Sequence, residues 1–324
     1  MAVTNQTWDD KRLRNDRIGG LQEQMKLHGI GAMYLTDVNL LYALCLKIPG
    51  SAAFVPADGE AVALVRPRDK GWVSKEGLAT APTQYDGSSG WEPGGAEKFG
   101  RFGHFIADMM RERGVGDLPL GLDELEAAAF LGLQEAGVRI VDATGAIEKA
   151  RSVKTADEVA IYRLIAEQYE ATFKAFKVAV RPGITEKQLA DVAVSAWQEA
   201  GGEDVSQINV CAGEHMNPWS RWPTDRELQD GEFVGIDFHA RGPHGLRGNV
   251  SRTYVVGDHP TSAQREHYRH AYDYLQGVMG AVRGGRPLKD VLKDAPTAPQ
   301  QYEAQLGYRT LLHSLGMMPS GYPH

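Results

Sequence analysis

A carboxylate and an imidazole two residues apart, Asp237 and His239, fall on one face of a segment whose other face is apolar. Residues Glu232 to Ala240 alternate as a strand does. Val234, Ile236 and Phe238 point one way, and Gly235, Asp237 and His239 the other. Arg241-Gly242-Pro243-His244-Gly245 reads as a turn, and Asn249 to Val256 as the return strand. A hairpin symmetric about Pro243 sets Asp237 opposite Asn249, with Cβ atoms roughly 5 Å apart. Two oxygen-bearing side chains on one sheet face, in a segment otherwise apolar, mark a candidate site. Other groupings carry less. Glu266, His267, His270 and Asp273 are spaced as on a helix and imitate a metal cluster, but charged helix faces are usually solvated. Trp219 and Trp222 sit in a Pro-containing loop, where they line a pocket or simply pack it. Cys45 and Cys211 form neither a CxxC nor a zinc spacing and read as ordinary thiols of a reducing compartment.

The elements that would position this hairpin follow from periodicity. Residues 8–28 read as a helix carrying Leu13, Ile18, Leu21, Met25 and Leu27. Strand-like runs follow at 32–35, 52–55 and 61–65, separated by turn residues such as Pro56-Ala57-Asp58-Gly59. Residues 82–95, rich in Gly, Ser and Pro, read as loop. A helix over 96–113 and a strand, helix and strand over 120–141 complete an α/β unit that ends near Glu148. A second unit opens at Thr155-Ala156-Asp157-Glu158, a capping box: the Thr hydroxyl accepts from an amide three residues on while Glu158 reaches back. Thr185-Glu186-Lys187-Gln188 repeats the pattern, and its helix carries Leu189, Val192, Ala196 and Trp197 before Gly201-Gly202.

The 324 residues suggest about two domains, and 42% apolar and 24% charged residues are ordinary globular composition. A net charge of -7 and the absence of basic runs give no electrostatic reason to bind nucleic acid or anionic lipid. The N-terminus lacks the basic start and apolar stretch of a signal peptide, and the apolar run 38–46 is too short to span a bilayer. A cytoplasmic location is expected.

The order and spacing of several motifs resemble the creatinase/prolidase/aminopeptidase P family. Gly235-Ile236-Asp237-Phe238, followed by Asn249-Val250-Ser251-Arg252-Thr253, is similar to that family's paired metal-ligand strands. Leu228-Gln229-Asp230-Gly231-Glu232 resembles the turn that enters the first of them. Arg151 to Glu158 resembles the linker opening the catalytic domain, and Arg181-Pro182-Gly183-Ile184-Thr185-Glu186 the turn after its first helix. Asp37-Val38-Asn39-Leu40-Leu41-Tyr42 resembles the non-catalytic domain. Asn217-Pro218-Trp219 resembles a segment of the dimethylsulfoniopropionate lyase branch.

The resemblance implies an α/β two-domain protein: a creatinase-type N-terminal domain over 1–148 and an α+β pita-bread domain over 149–324, truncated at its C-terminus. It implies metal ligation by Asp237, Asn249 and His313, proton transfer by His215, His313 and Asp237, and substrate contacts from Trp219, Arg221, Arg252 and His239. It also implies a homodimer and a small-molecule substrate. The departures bear on the chemistry. Asn249 stands where the family has a second Asp, and residues 314–324 contain no Asp or Glu. Two divalent ions need bridging carboxylates to offset their repulsion. The expectation is therefore no cofactor, or one weakly held Mn, Fe, Zn or Co ion. The reading that follows is a hydrolase cleaving a C–N bond of a small amino-acid-like substrate without the metal pair. The alternatives are a metal-dependent Xaa-Pro peptidase or a lyase relative, and an inactive binding or assembly homologue.

Overall fold

The computed structural model describes residues 7–48, 50–81, 95–217, 219, 222–297 and 313–317. The loop expected over 82–95 lies almost wholly outside the described residues, as does Arg221. Helix α1 (Asp10–His28) starts where the Asp9 side chain accepts from the Arg12 amide and stops at Gly29 in the left-handed conformation. Strand β1 (Ala32–Thr36), helix α2 (Asp37–Leu44) and strands β2 (Ala52–Pro56) and β3 (Val62–Leu64) follow. Helices α3 (Lys70–Lys75) and α4 (Gly95–Glu112), strand β4 (Leu120–Leu122), helix α5 (Ala127–Glu135) and strand β5 (Ile140–Asp142) complete the first sheet and its cover. The sheet order is β3-β2-β1-β4-β5, antiparallel among β1, β2 and β3 and parallel among β1, β4 and β5. Alternating residues of β1 and β2 divide between two cores: Tyr34 and Phe54 pack with Phe102, Ile106 and Leu133 of α4 and α5, whereas Met33, Leu35 and Val55 join α1.

Helix α6 (Thr144–Ser152) is not marked in the sequence reading, which ends the first unit near Glu148. Both anticipated capping boxes are present. Thr155 and Glu158 open α7 (Ala156–Ala179), and Thr185 and Gln188 open α8 (Glu186–Glu199). The second sheet is β6 (Val205–Ala212), β7 (Phe233–Arg241) and β8 (Arg247–Val255) in sequence order and antiparallel throughout. Helices α9 (Ser262–Ala281) and α10 (Leu288–Asp294) follow. Helices α7 and α8 cover one face of this sheet. Val234, Ile236, Phe238 and Ala240 of β7 are fully buried there. The Phe238 ring lies 5.8 Å from Tyr169 and 5.7 Å from Trp197.

The two halves are joined by ion pairs to the first turn of α7. Buried Arg17 donates from Nε to Glu158 Oε1 at 2.9 Å, and Arg12 reaches Asp157 at 2.6 Å. Glu158 is thus both the reciprocal residue of a capping box and the partner of a buried guanidinium.

Candidate functional site

With α7 and α8 on one face, the other face of the second sheet carries the polar row. From β6 come Gln207, Asn209 and Cys211; from β7, His239, Asp237 and Gly235 in register with them. The hairpin register differs from the expected one. Asp237 pairs with Ser251, and His239 pairs with Asn249. The reason is the turn. His244 (φ 55°) and Gly245 (φ 75°) are successive left-handed residues, so the reversal centres on His244 rather than Pro243. Asn249 still shares the face, one diagonal step from Asp237.

Asp237 is the hub. Its Oδ1 accepts from Ser251 Oγ at 2.8 Å. Its Oδ2 meets His239 Nε2 at 3.0 Å and accepts from Asn209 Nδ2 at 3.3 Å. Burial is the largest single influence on this carboxyl and opposes ionisation. The hydrogen bonds from His239, Ser251 and Asn209, with the charge of His239, outweigh it and hold Asp237 below the usual carboxylate range. A carboxylate that only accepts requires the proton of neutral His239 on Nε2. Among the described residues, buried His239 Nδ1 and Asn209 Oδ1 have no hydrogen-bond partner.

His313 reaches this face at its Asn249 end. Its Nδ1 donates to the Ser314 carbonyl at 2.9 Å, which leaves Nε2 to accept from Asn249 Nδ2 at 3.4 Å. The Arg247 amide donates to Gly316 at 2.8 Å and holds the segment beside β8. Trp219 covers the opposite end: a Cβ on Gly235 would lie 3.1 Å from its ring and 3.0 Å from Met216. His215, in the same turn, contacts the buried carboxylate of Glu186 at 3.0 Å.

Arg252 does not share the face of Asp237. As an even-numbered residue of β8 it pairs with buried Ile236, on the helix side, and its guanidinium lies 5.4 Å from the Phe173 ring. There it lines an open cavity of about 620 Å³ with Lys177, Arg265 and Tyr268. Glu266, His267 and Asp273 are exposed on α9, with His270 partly so, as a solvated helix face requires. Sequence reading missed Asn209 and Glu186. The alternation Gln207, Asn209, Cys211 against Ile208, Val210, Ala212 would have shown the first. Glu186 is masked by its place beside a helix cap.

The profile of metallopeptidase family M24 matches residues 160–323, and the chain belongs to this family. It is 23% identical over 222 residues to a dimethylsulfoniopropionate lyase, DddP, of Roseovarius nubinhibens, covering 67% of this chain and 50% of that protein. It is 27% identical over 184 residues to a probable dipeptidase, PepE, of Mycobacterium tuberculosis, covering 54% and 49%. The chain spans about half the length of the curated relatives it matches. A solved prolidase from Thermococcus sibiricus superimposes with a TM-score of 0.78 at 21% identity, over 98% of this chain and 84% of that one. The Xaa-Pro dipeptidase from Bacillus anthracis gives 0.74 at 19%, over 96% and 84%. The fold is therefore the pita-bread fold anticipated from the motifs.

The family name implies divalent metal ions. Among the described residues, no group of three His, Cys, Asp or Glu side chains is placed to hold one. The carboxylate of Asp237 is already shared among three side-chain donors, and the Asn249 amide is turned to His313. These donors do not fit a dinuclear site, in which carboxylates must bridge two ions. Also among the described residues, no helix is long and apolar enough to cross a membrane.

Proposed function

We propose that this chain is a hydrolase that cleaves a C–N bond of a small amino-acid-like substrate at the Asp237 face, without a metal pair. The observation that carries the reading is the Asp237 carboxylate, half-buried and held ionised by His239, Ser251 and Asn209. Hydrolysis of a C–N bond needs a group to take a proton from water and a group to give one to the leaving nitrogen. Asp237, His239, His313 and His215 are the proton-handling groups on or beside this face. Trp219 supplies an apolar wall over Gly235. Asp237, Asn249 and His313 would hold one weak Mn, Fe, Zn or Co ion at most. With Arg252 on the helix side, recognition of a substrate carboxylate falls to Arg221 in this reading.

The DddP relative and the Asn217-Pro218-Trp219 segment favour a second reading, a lyase acting on dimethylsulfoniopropionate or a similar sulfonium acid. The PepE relative and the prolidase-like fold keep Xaa-Pro dipeptides in the same assay. Turnover of small amides, amidines, Xaa-Pro dipeptides and dimethylsulfoniopropionate by the purified chain, with Asp237→Ala and His215→Ala as controls, is the test. Amide or amidine turnover lost in both variants supports the hydrolase. Release of dimethyl sulfide alone replaces it with the lyase. No turnover at all supports an inactive homologue.

The same reading divides the chain into units 1–148 and 149–324. It is supported by a first sheet ending at Asp142, a second starting at Val205, and the capping box between them. A cytoplasmic homodimer is part of it: the two free cysteines support a reducing compartment, and the homodimer rests on the family likeness.

A further inference from the structure

Glu186 opens α8, yet its carboxylate faces inward and is fully buried. Among the described residues, the backbone and hydroxyl groups bonded to it all donate. Oε1 accepts from the Ala212 amide at 2.8 Å, and Oε2 from the Thr224 amide at 3.0 Å and the Thr224 hydroxyl at 2.7 Å. The hydroxyl itself accepts from the Arg226 amide at 3.1 Å. His215 Nδ1 lies 3.0 Å from one carboxylate oxygen and 3.1 Å from the other. Among the described residues, His215 is the one ion-pair partner of Glu186.

An oxygen pair that already accepts from three donors offers the imidazole only lone pairs. The nitrogen facing it must therefore carry hydrogen. In the neutral ring this leaves Nε2 bare, on the edge turned away from Glu186. The His215 side chain is 29% exposed. The turn carrying it continues into Met216 and Trp219, which bridge to one another and lie against Gly235, two residues from Asp237.

We propose that Glu186 is a positioning residue that holds His215 in the Nδ1-protonated tautomer and so presents Nε2 as the proton acceptor beside the Asp237 face. The role of that acceptor in turnover rests on the function proposed above; the tautomer does not. A buried carboxylate behind a working imidazole fixes both ring orientation and tautomer. Ala212 at the end of β6 and Thr224 ahead of β7 are tied to the same two oxygens, so the imidazole is indexed to the strands that carry Asn209 and Asp237.

The test is ¹⁵N NMR of the full labelled chain at mildly alkaline pH, with the His215 signals assigned by their loss in His215→Gln. The expected result is a protonated Nδ1 and a bare Nε2 in the unaltered protein. Glu186→Gln should admit the Nε2-protonated form. Thr224→Val, which removes one hydroxyl donor to Glu186 Oε2 but leaves the carboxylate facing the imidazole, should keep the original tautomer. A proton on Nε2 in the unaltered protein overturns the proposal, and this holds even if Glu186→Gln does not fold. An unchanged tautomer in folded Glu186→Gln also overturns it, as does an altered one in Thr224→Val. The expected tautomers without turnover of any substrate would refute the catalytic reading and leave the positioning intact.

Discussion

Ser251 stands directly opposite Asp237 across the β7–β8 pair, and its hydroxyl donates to Asp237 Oδ1 at 2.8 Å. This bond, with those from His239 and Asn209, keeps the Asp237 pKa in the folded protein below its unfolded value near 3.9. The folded state then binds fewer protons than the unfolded one as the carboxyl titrates. Stability from this group is present above about pH 4 and is lost as pH falls through the folded pKa. The slope of unfolding free energy against pH below about pH 4, measured by urea denaturation, should be shallower in Asp237→Asn. Ser251→Ala should lie between the two. Equal slopes in all three proteins would remove the assignment.

Tyr169 of α7 fixes the strand from behind. Its hydroxyl donates to the Phe238 carbonyl at 3.0 Å and accepts from the Ala240 amide at 3.1 Å, on either side of His239. Burial raises its pKa, so it stays protonated and able to donate. Tyr169→Phe should cost about 1–3 kcal/mol, the penalty of a buried amide left without a partner. Gly248→Ala should destabilise by a different route, because its Cβ would fall 2.1 Å from the Tyr169 ring. Both should lower the urea midpoint with an unchanged slope. A Tyr169→Phe midpoint equal to that of the unaltered protein would contradict the bridging role.

Arg17 and Glu158 tie α1 to α7 in a buried ion pair. Arg17→Leu should destabilise by about 3–5 kcal/mol, because it leaves the Glu158 carboxylate buried without its charge partner. The double variant Arg17→Leu, Glu158→Leu should be more stable than Arg17→Leu alone. Additive losses in the double-mutant cycle would show that the two side chains are not coupled.

The starts of α7 and α8 are legible in the sequence because a capping box is a local chemical pattern. Thr155 and Thr185 need only the glutamate or glutamine three residues on. That Asp237 and His239 share a face is legible for the same reason, from a period of two. Which residue stands opposite Asp237 is not, because it depends on left-handed backbone at His244, where a non-glycine residue gives no signal. Arg252 shows a related limit. Its place after Ser251 puts it on the helix side once the register is known, but a family motif read as a string does not say which face each letter takes. Glu186 is hidden because the residue opening a helix is ordinarily solvated, and only the tertiary return of Ala212, His215 and Thr224 buries it.

In the proposed function Asp237 serves as a proton-handling carboxylate rather than as a bridge between two metal ions. Elemental analysis of the chain purified without chelators tests it most directly. Asp237 with three side-chain donors, neutral Asn249 and His313 should retain at most one equivalent of divalent metal per chain. Two equivalents of manganese, iron, cobalt or zinc, lost together in Asp237→Ala, would contradict the account and restore a dinuclear peptidase site.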